Sequence, residues 1–121
     1  MRYQAFLIPL LLTFSACSLI KSGSPEAQLA RCINDKGIIL YGTTWGSNTS
    51  RQLQAFGDAS KYLNFIDCQK NKNACSRANI KENPTWFFPE GNIERSGFLR
   101  LDMLASFASC PYSQKVKQKS N

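Results

Sequence analysis

Sulfur is the chemistry that this sequence offers. Its 121 residues contain five cysteines, Cys17, Cys32, Cys68, Cys75 and Cys110, and no histidine. Without histidine there is no Ser-His-Asp or Cys-His nucleophile pair, no histidine-ligated metal and no imidazole base poised near neutral pH. In an exported protein an odd cysteine count leaves one sulfur to be explained apart from disulfide pairing. The length allows one small domain. The 15 basic and 8 acidic side chains give a formal charge of +7. The basic residues are spread along the chain without interleaved aromatics, and an exported chain does not normally meet nucleic acid, so no nucleic-acid partner is expected.

The first cysteine belongs to an export signal. Met1-Arg2 is a basic start, Phe6 to Phe14 an apolar core, and Ser15-Ala16 the small residues of a cleavage site. This defines a signal peptide over residues 1–16, too short in its apolar run for the ~20 residues of a membrane-spanning helix. Phe14-Ser15-Ala16-Cys17 resembles a bacterial lipobox, with Phe14 where an aliphatic residue is usual. That resemblance implies a lipidated Cys17, a tether over residues 17–24 and a lipoprotein held at a membrane of the bacterial cell envelope, facing the periplasm or exterior. The alternative is an ordinary secretory signal cut nearby, with Cys17 incidental.

The remaining sulfurs must be positioned by the domain over residues 25–110. Ser24-Pro25-Glu26 starts a helix that Gly37 ends. Ile38 to Tyr41 is an apolar strand, Thr43 to Ser50 a polar loop, Ser50 to Ser60 a second helix with Leu53 and Phe56 on one side, and Tyr62 to Asp67 a second strand. A basic stretch from Cys68 to Lys81 includes a short helical segment at Ala74 to Asn79. Thr85 to Phe88 and Ile93 to Ser96 form a hairpin about Pro89-Glu90-Gly91-Asn92, with Trp86, Phe87 and Phe88 expected in the sheet core. A last helix runs from Leu99 to Ser109, and residues 111–121 read as a disordered, Lys-rich tail. The expected fold is α/β, a central mixed sheet of about four strands flanked by helices.

An ordered series of motifs sharpens this. Leu29-Ala30-Arg31-Cys32, Tyr41-Gly42-Thr43-Thr44-Trp45, Phe65-Ile66-Asp67-Cys68, Ala74-Cys75, Asn83-Pro84-Thr85-Trp86, Ser96-Gly97 and Ser109-Cys110 span nearly the whole domain. Together they resemble the thioredoxin-like domain fused to bacterial vitamin K epoxide reductase homologues. The resemblance implies a thioredoxin-like fold. It also implies a Cys-x-x-Cys pair directly after the tryptophan, and here the chain departs from it. Trp45 is followed by Gly46, Ser47, Asn48 and Thr49, so Gly46 and Thr49 stand at the two sulfur positions. Neither can exchange electrons with a disulfide, and Thr49 has no base to activate it. Ser47, Asn48 or Thr49 is expected to cap the following helix. The resemblance further implies a cis Asn83–Pro84 bond facing this loop, so that Trp45, Asn83, Pro84 and Thr85 line a peptide-binding groove.

Cys32, Cys68, Cys75 and Cys110 match the family's structural cysteines. The resemblance thus implies a local Cys68–Cys75 disulfide and a Cys32–Cys110 staple, the latter worth roughly 4 kcal/mol on a chain-entropy model. Zinc is an alternative use of four cysteines, but no Cys-x-x-Cys pair is present and an oxidising compartment favours disulfides, so no metal and no cofactor is expected. Three functions follow. The leading one is a protein that lacks the catalytic pair and binds exported peptides or proteins without redox turnover. The alternatives are a thiol–disulfide oxidoreductase working through Cys68 and Cys75, beside the cations Lys70, Lys72 and Arg77, and a structural envelope protein.

Overall fold

A computed structural model describes residues 23–114. The signal peptide, Cys17, most of the tether and the tail from 115 onward lie outside the described residues. Among the described residues no helix is long and apolar enough to cross a membrane.

The first helix, α1 (Pro25–Asp35), begins where chemistry dictates. The Ser24 hydroxyl accepts from the Ala27 N–H at 3.1 Å, and Pro25 occupies a first-turn position that needs no donor. Its end is equally determined. Gly37, at φ +70°, lets the Gly37 and Ile38 N–H groups bond back to Asn34 and Ile33, which satisfies carbonyls the helix leaves open. The chain then enters β1 (Ile39–Gly42), crosses through α2 (Ser47–Phe56) and a 3-10 segment at Gly57–Tyr62, and returns parallel in β2 (Asn64–Asp67). A short α3 (Lys72–Arg77) precedes the hairpin of β3 (Thr85–Phe88) and β4 (Ile93–Ser96), and α4 (Leu101–Ala108) completes the order.

The sheet order is β2-β1-β3-β4, with β1 parallel to β2 and antiparallel to β3. Leu40 lies opposite both Phe65 and Trp86, so these side chains share one face. Leu40 and Trp86 are fully buried there, in a core shared with Leu29 and Ile33 of α1, Phe56 of α2 and Leu104 of α4. Trp86 and Phe88 are core residues, while Phe87, on the other face, is half-buried. All four residues of β4 are exposed, at an edge of the sheet. This α/β arrangement, a four-stranded mixed sheet flanked by helices, is a thioredoxin-like fold.

The second helix departs from the sequence expectation. It starts at Ser47 rather than Ser50, and its cap is Gly46, without any side-chain capping bond. Ser47, Asn48 and Thr49 are therefore first-turn residues, not caps. The physical reason is Thr49, which is fully buried beneath the loop and draws the first turn inward.

The two ends of the domain are tied to each other. Cys32 of α1 and Cys110 just past α4 form a disulfide across 78 positions. Lys36 donates through Nζ to the carbonyls of Ala108 and Ser109, at 2.6 and 2.9 Å, satisfying the open end of α4. Tyr112 packs against the core, and its hydroxyl lies 3.3 Å from Oε1 of Glu26.

Candidate functional site

One end of the sheet gathers nearly every residue that the sequence singles out. The carboxyl ends of the parallel strands β1 and β2 point there, and the antiparallel β3 begins there. Crevices outside the carboxyl ends of parallel strands are the usual sites of chemistry in such sheets.

The Trp45 loop leaves β1 at Gly42. A turn closed by the Gly46 N–H on the Thr43 carbonyl presents Trp45 to solvent, 72% exposed, so Trp45 does not pack. Gly42 is required by what lies beneath it. A Cβ at this position would sit 2.7 Å from Cγ2 and 2.8 Å from Oγ1 of Thr49, closer than side chains approach. Thr49 itself is fully buried, and among the described residues its hydroxyl has no hydrogen-bond partner. No cysteine stands between Trp45 and Thr49, so this loop carries no exchangeable sulfur.

The sulfur lies one strand away. At the end of β2 the Cys68 N–H donates to the Gly42 carbonyl at 2.8 Å, holding Cys68 against the base of the Trp45 loop. Cys68 is disulfide-bonded to Cys75, with Cα atoms 5.5 Å apart. The strap between them is shaped by Asp67. Its carboxylate accepts from the Gln69 N–H at 2.9 Å, and its carbonyl accepts from the N–H groups of Lys70 and Asn71. Cys75 then enters α3 and is buried, 6% exposed, whereas Cys68 is half-buried. One sulfur is thus better covered than the other. All four domain cysteines are paired in two disulfides.

The third element is the start of β3. The Asn83–Pro84 bond is cis. Pro84 is fully buried and its carbonyl accepts from the Gly97 N–H at 2.8 Å, within the hairpin. Asn83 is exposed, while the buried Thr85 turns its hydroxyl to the Glu82 carbonyl at 2.7 Å. Trp45, Cys68 and Pro84 therefore belong to three adjacent strand ends at one edge of the molecule.

One supporting residue was not legible as such. Gln52 of α2 is fully buried. Its Nε2 donates to the Leu99 carbonyl at 3.0 Å, and its Oε1 accepts from the Leu99 N–H at 2.8 Å and from Trp86 Nε1 at 3.2 Å. It locks the helix behind the loop to β3 and to the approach of α4. Its spacing from Thr49 and Phe56, three and four residues, is the helical signal that places it on the buried stripe.

No protein-family model matches the chain. Among curated proteins it is similar to the thiol-disulfide oxidoreductase LTO1 of Arabidopsis thaliana, 31% identical over 113 aligned positions. The alignment covers 85% of this chain and 30% of that protein, so the chain spans less than a third of its relative. This similarity corrects the leading sequence reading, binding without redox turnover by a protein that lacks its catalytic pair. A thiol–disulfide oxidoreductase is the relative, and a disulfide-bonded pair, Cys68 and Cys75, sits at the loop end of the sheet. The sulfur absent from positions 46 and 49 is present at the neighbouring strand end, in the pair that the sequence offers as its alternative.

Proposed function

We propose that this domain carries out thiol–disulfide exchange, with Cys68 and Cys75 as the exchanging pair. The observation that carries the proposal is the asymmetric Cys68–Cys75 disulfide at the carboxyl end of β2, partly buried at Cys68 and buried at Cys75. Similarity to a thiol-disulfide oxidoreductase supports it. An incoming thiolate attacks Sγ of Cys68, the S–S bond breaks, and its electron pair leaves on Sγ of Cys75. The partner's second thiolate then attacks its own sulfur in the mixed disulfide and releases Cys68. Two electrons pass from the partner dithiol to the domain, and the reverse sequence reduces a partner disulfide. No histidine is needed, because a thiolate supplies its own nucleophile. The basic side chains Lys70, Lys72 and Arg77 favour the thiolate that leaves.

Loop length separates the two disulfides. Chain entropy makes a bridge spanning 78 positions worth roughly 4.5 kcal/mol and one spanning 7 roughly 2.5 kcal/mol, so opening the local bridge disturbs the fold less.

The domain corresponds to the kind attached to vitamin K epoxide reductase homologues, a view supported by the short span of the longer relative that it covers. Export and lipid attachment at Cys17, supported by the run Phe14-Ser15-Ala16-Cys17, would set it at an envelope membrane among exported polypeptides. The mass of the mature protein without reductant tests that attachment.

The function is tested by equilibrating the protein with glutathione buffers and trapping free thiols. Cys68 and Cys75 are expected to titrate between about −120 and −270 mV, and insulin reduction to disappear in Cys68→Ser. A pair that stays oxidised below about −300 mV, without insulin turnover, overturns the proposal.

A further inference from the structure

The strap that carries the Cys68–Cys75 disulfide is basic and nothing else. From Cys68 to Lys81 it contains Lys70, Lys72, Arg77 and Lys81 and no aspartate or glutamate. All four cations are exposed, and among the described residues none of them is ion-paired. The nearest preceding acid, Asp67, is buried and occupied with the Gln69 N–H. Lys70, Lys72 and Arg77 line a single open hollow of about 510 Å³, with the side chains of Asn71 and Asn73 between them. Unpaired like charges around one concavity repel each other and raise the local concentration of anions.

Resting on the exchange reading above, we propose that the hollow selects the partner: it takes an acidic polypeptide segment, with aspartate or glutamate side chains beside the thiol that attacks Cys68. Three features favour a peptide over a lipid headgroup. The three cations share one open hollow instead of being scattered over the surface. The amides of Asn71 and Asn73 can donate to and accept from a peptide backbone, Asn71 with one N–H already on the Asp67 carbonyl at 3.4 Å. Finally, the hollow is lined by the strap that runs between the two sulfurs, so a segment held there lies next to the disulfide in sequence.

The test uses the full-length protein and matched synthetic dithiol peptides, one with aspartates flanking its cysteines and one with asparagines. At low ionic strength the acidic peptide is expected to exchange roughly tenfold faster, an advantage that salt removes. In the triple variant Lys70→Gln, Lys72→Gln, Arg77→Gln the ratio of the two rates should fall to about one. A variant that slows both peptides equally, with the ratio intact, overturns the proposal, since the cations would then act on the leaving thiolate alone. Binding of a fluorescent acidic peptide with serines for cysteines is measured alongside. Binding that the triple variant weakens, without exchange at Cys68, would sustain the docking surface and sink the exchange reading. Exchange with dithiothreitol, but no preference and no binding, would do the opposite. Failure of both exchange and peptide binding sinks both. Equal peptide binding by wild type and variant, or sedimentation with phosphatidylglycerol vesicles that depends on the three cations when the peptide does not bind, also overturns the proposal.

Discussion

At the scale of single residues, Thr49 shows how a polar side chain is accommodated where the fold leaves it no partner. Its hydroxyl is buried and unbonded, and Gly42 is pressed against it. A buried hydroxyl without a partner keeps its desolvation penalty, and an apolar group of the same shape does not. Thr49→Val is therefore expected to raise stability by up to about 1 kcal/mol, read as a higher urea midpoint at unchanged slope. A loss of more than about 1 kcal/mol would mean that the hydroxyl has a partner after all. Gln52 is the opposite case, a buried amide bonded at both of its heteroatoms. The two residues show what a sequence conceals at this scale. Both are polar and lie in a stretch read as loop and helix, where the sequence selects Leu53 and Phe56 as the inward residues. Leu53 is only half-buried, because Gln52 takes the inner position with hydrogen bonds supplied by Leu99 and Trp86, residues far along the chain.

Among elements, the two disulfides divide the work of holding the fold. The Cys32–Cys110 bridge joins α1 to the end of α4, reinforced by Lys36 on the last carbonyls of that helix. Replacing both of these cysteines by serine is expected to lower stability by roughly 4 kcal/mol, with the corresponding Cys68 and Cys75 double variant losing roughly 2 kcal/mol less than that. Urea unfolding of the two variants decides it, and an equal or reversed order would contradict the division. The elements themselves were largely legible. The Ser24-Pro25 start, the Gly37 stop and the hairpin between Thr85 and Ser96 follow from local rules of capping and turns. The start of α2 was not, since a polar run of Ser, Asn and Thr reads as loop until the burial of Thr49 is known. The sequence names Cys68 and Cys75 as one candidate pair but not where they sit: only the pairing of β1 with β2 sets Cys68 against Gly42.

For the whole molecule, the charge of +7 is carried with little compensation. Among the described residues the ion pair Arg100–Asp102 is exposed and stands alone. Arg31 and Lys61 instead rest over Tyr62, Arg51 over Phe98 and Arg95 over Phe107. Faces of aromatic rings offer such cations about 0.5–1 kcal/mol each at exposed sites and leave the net charge unchanged. Self-repulsion is therefore expected to make the protein more stable as salt rises from about 20 to about 300 mM, by under about 1 kcal/mol. A falling urea midpoint over that range would show that attractive pairs dominate instead. The exposed β4 edge adds a statement about symmetry. Two copies joining these edges in one continuous antiparallel sheet must be related by an axis normal to the sheet, which sets each central residue opposite itself. Centred on the middle of Ile93–Ser96, that places Glu94 against Glu94 or Arg95 against Arg95. The strand that ends the sheet thus sets like charges together in such a pairing, which disfavours it.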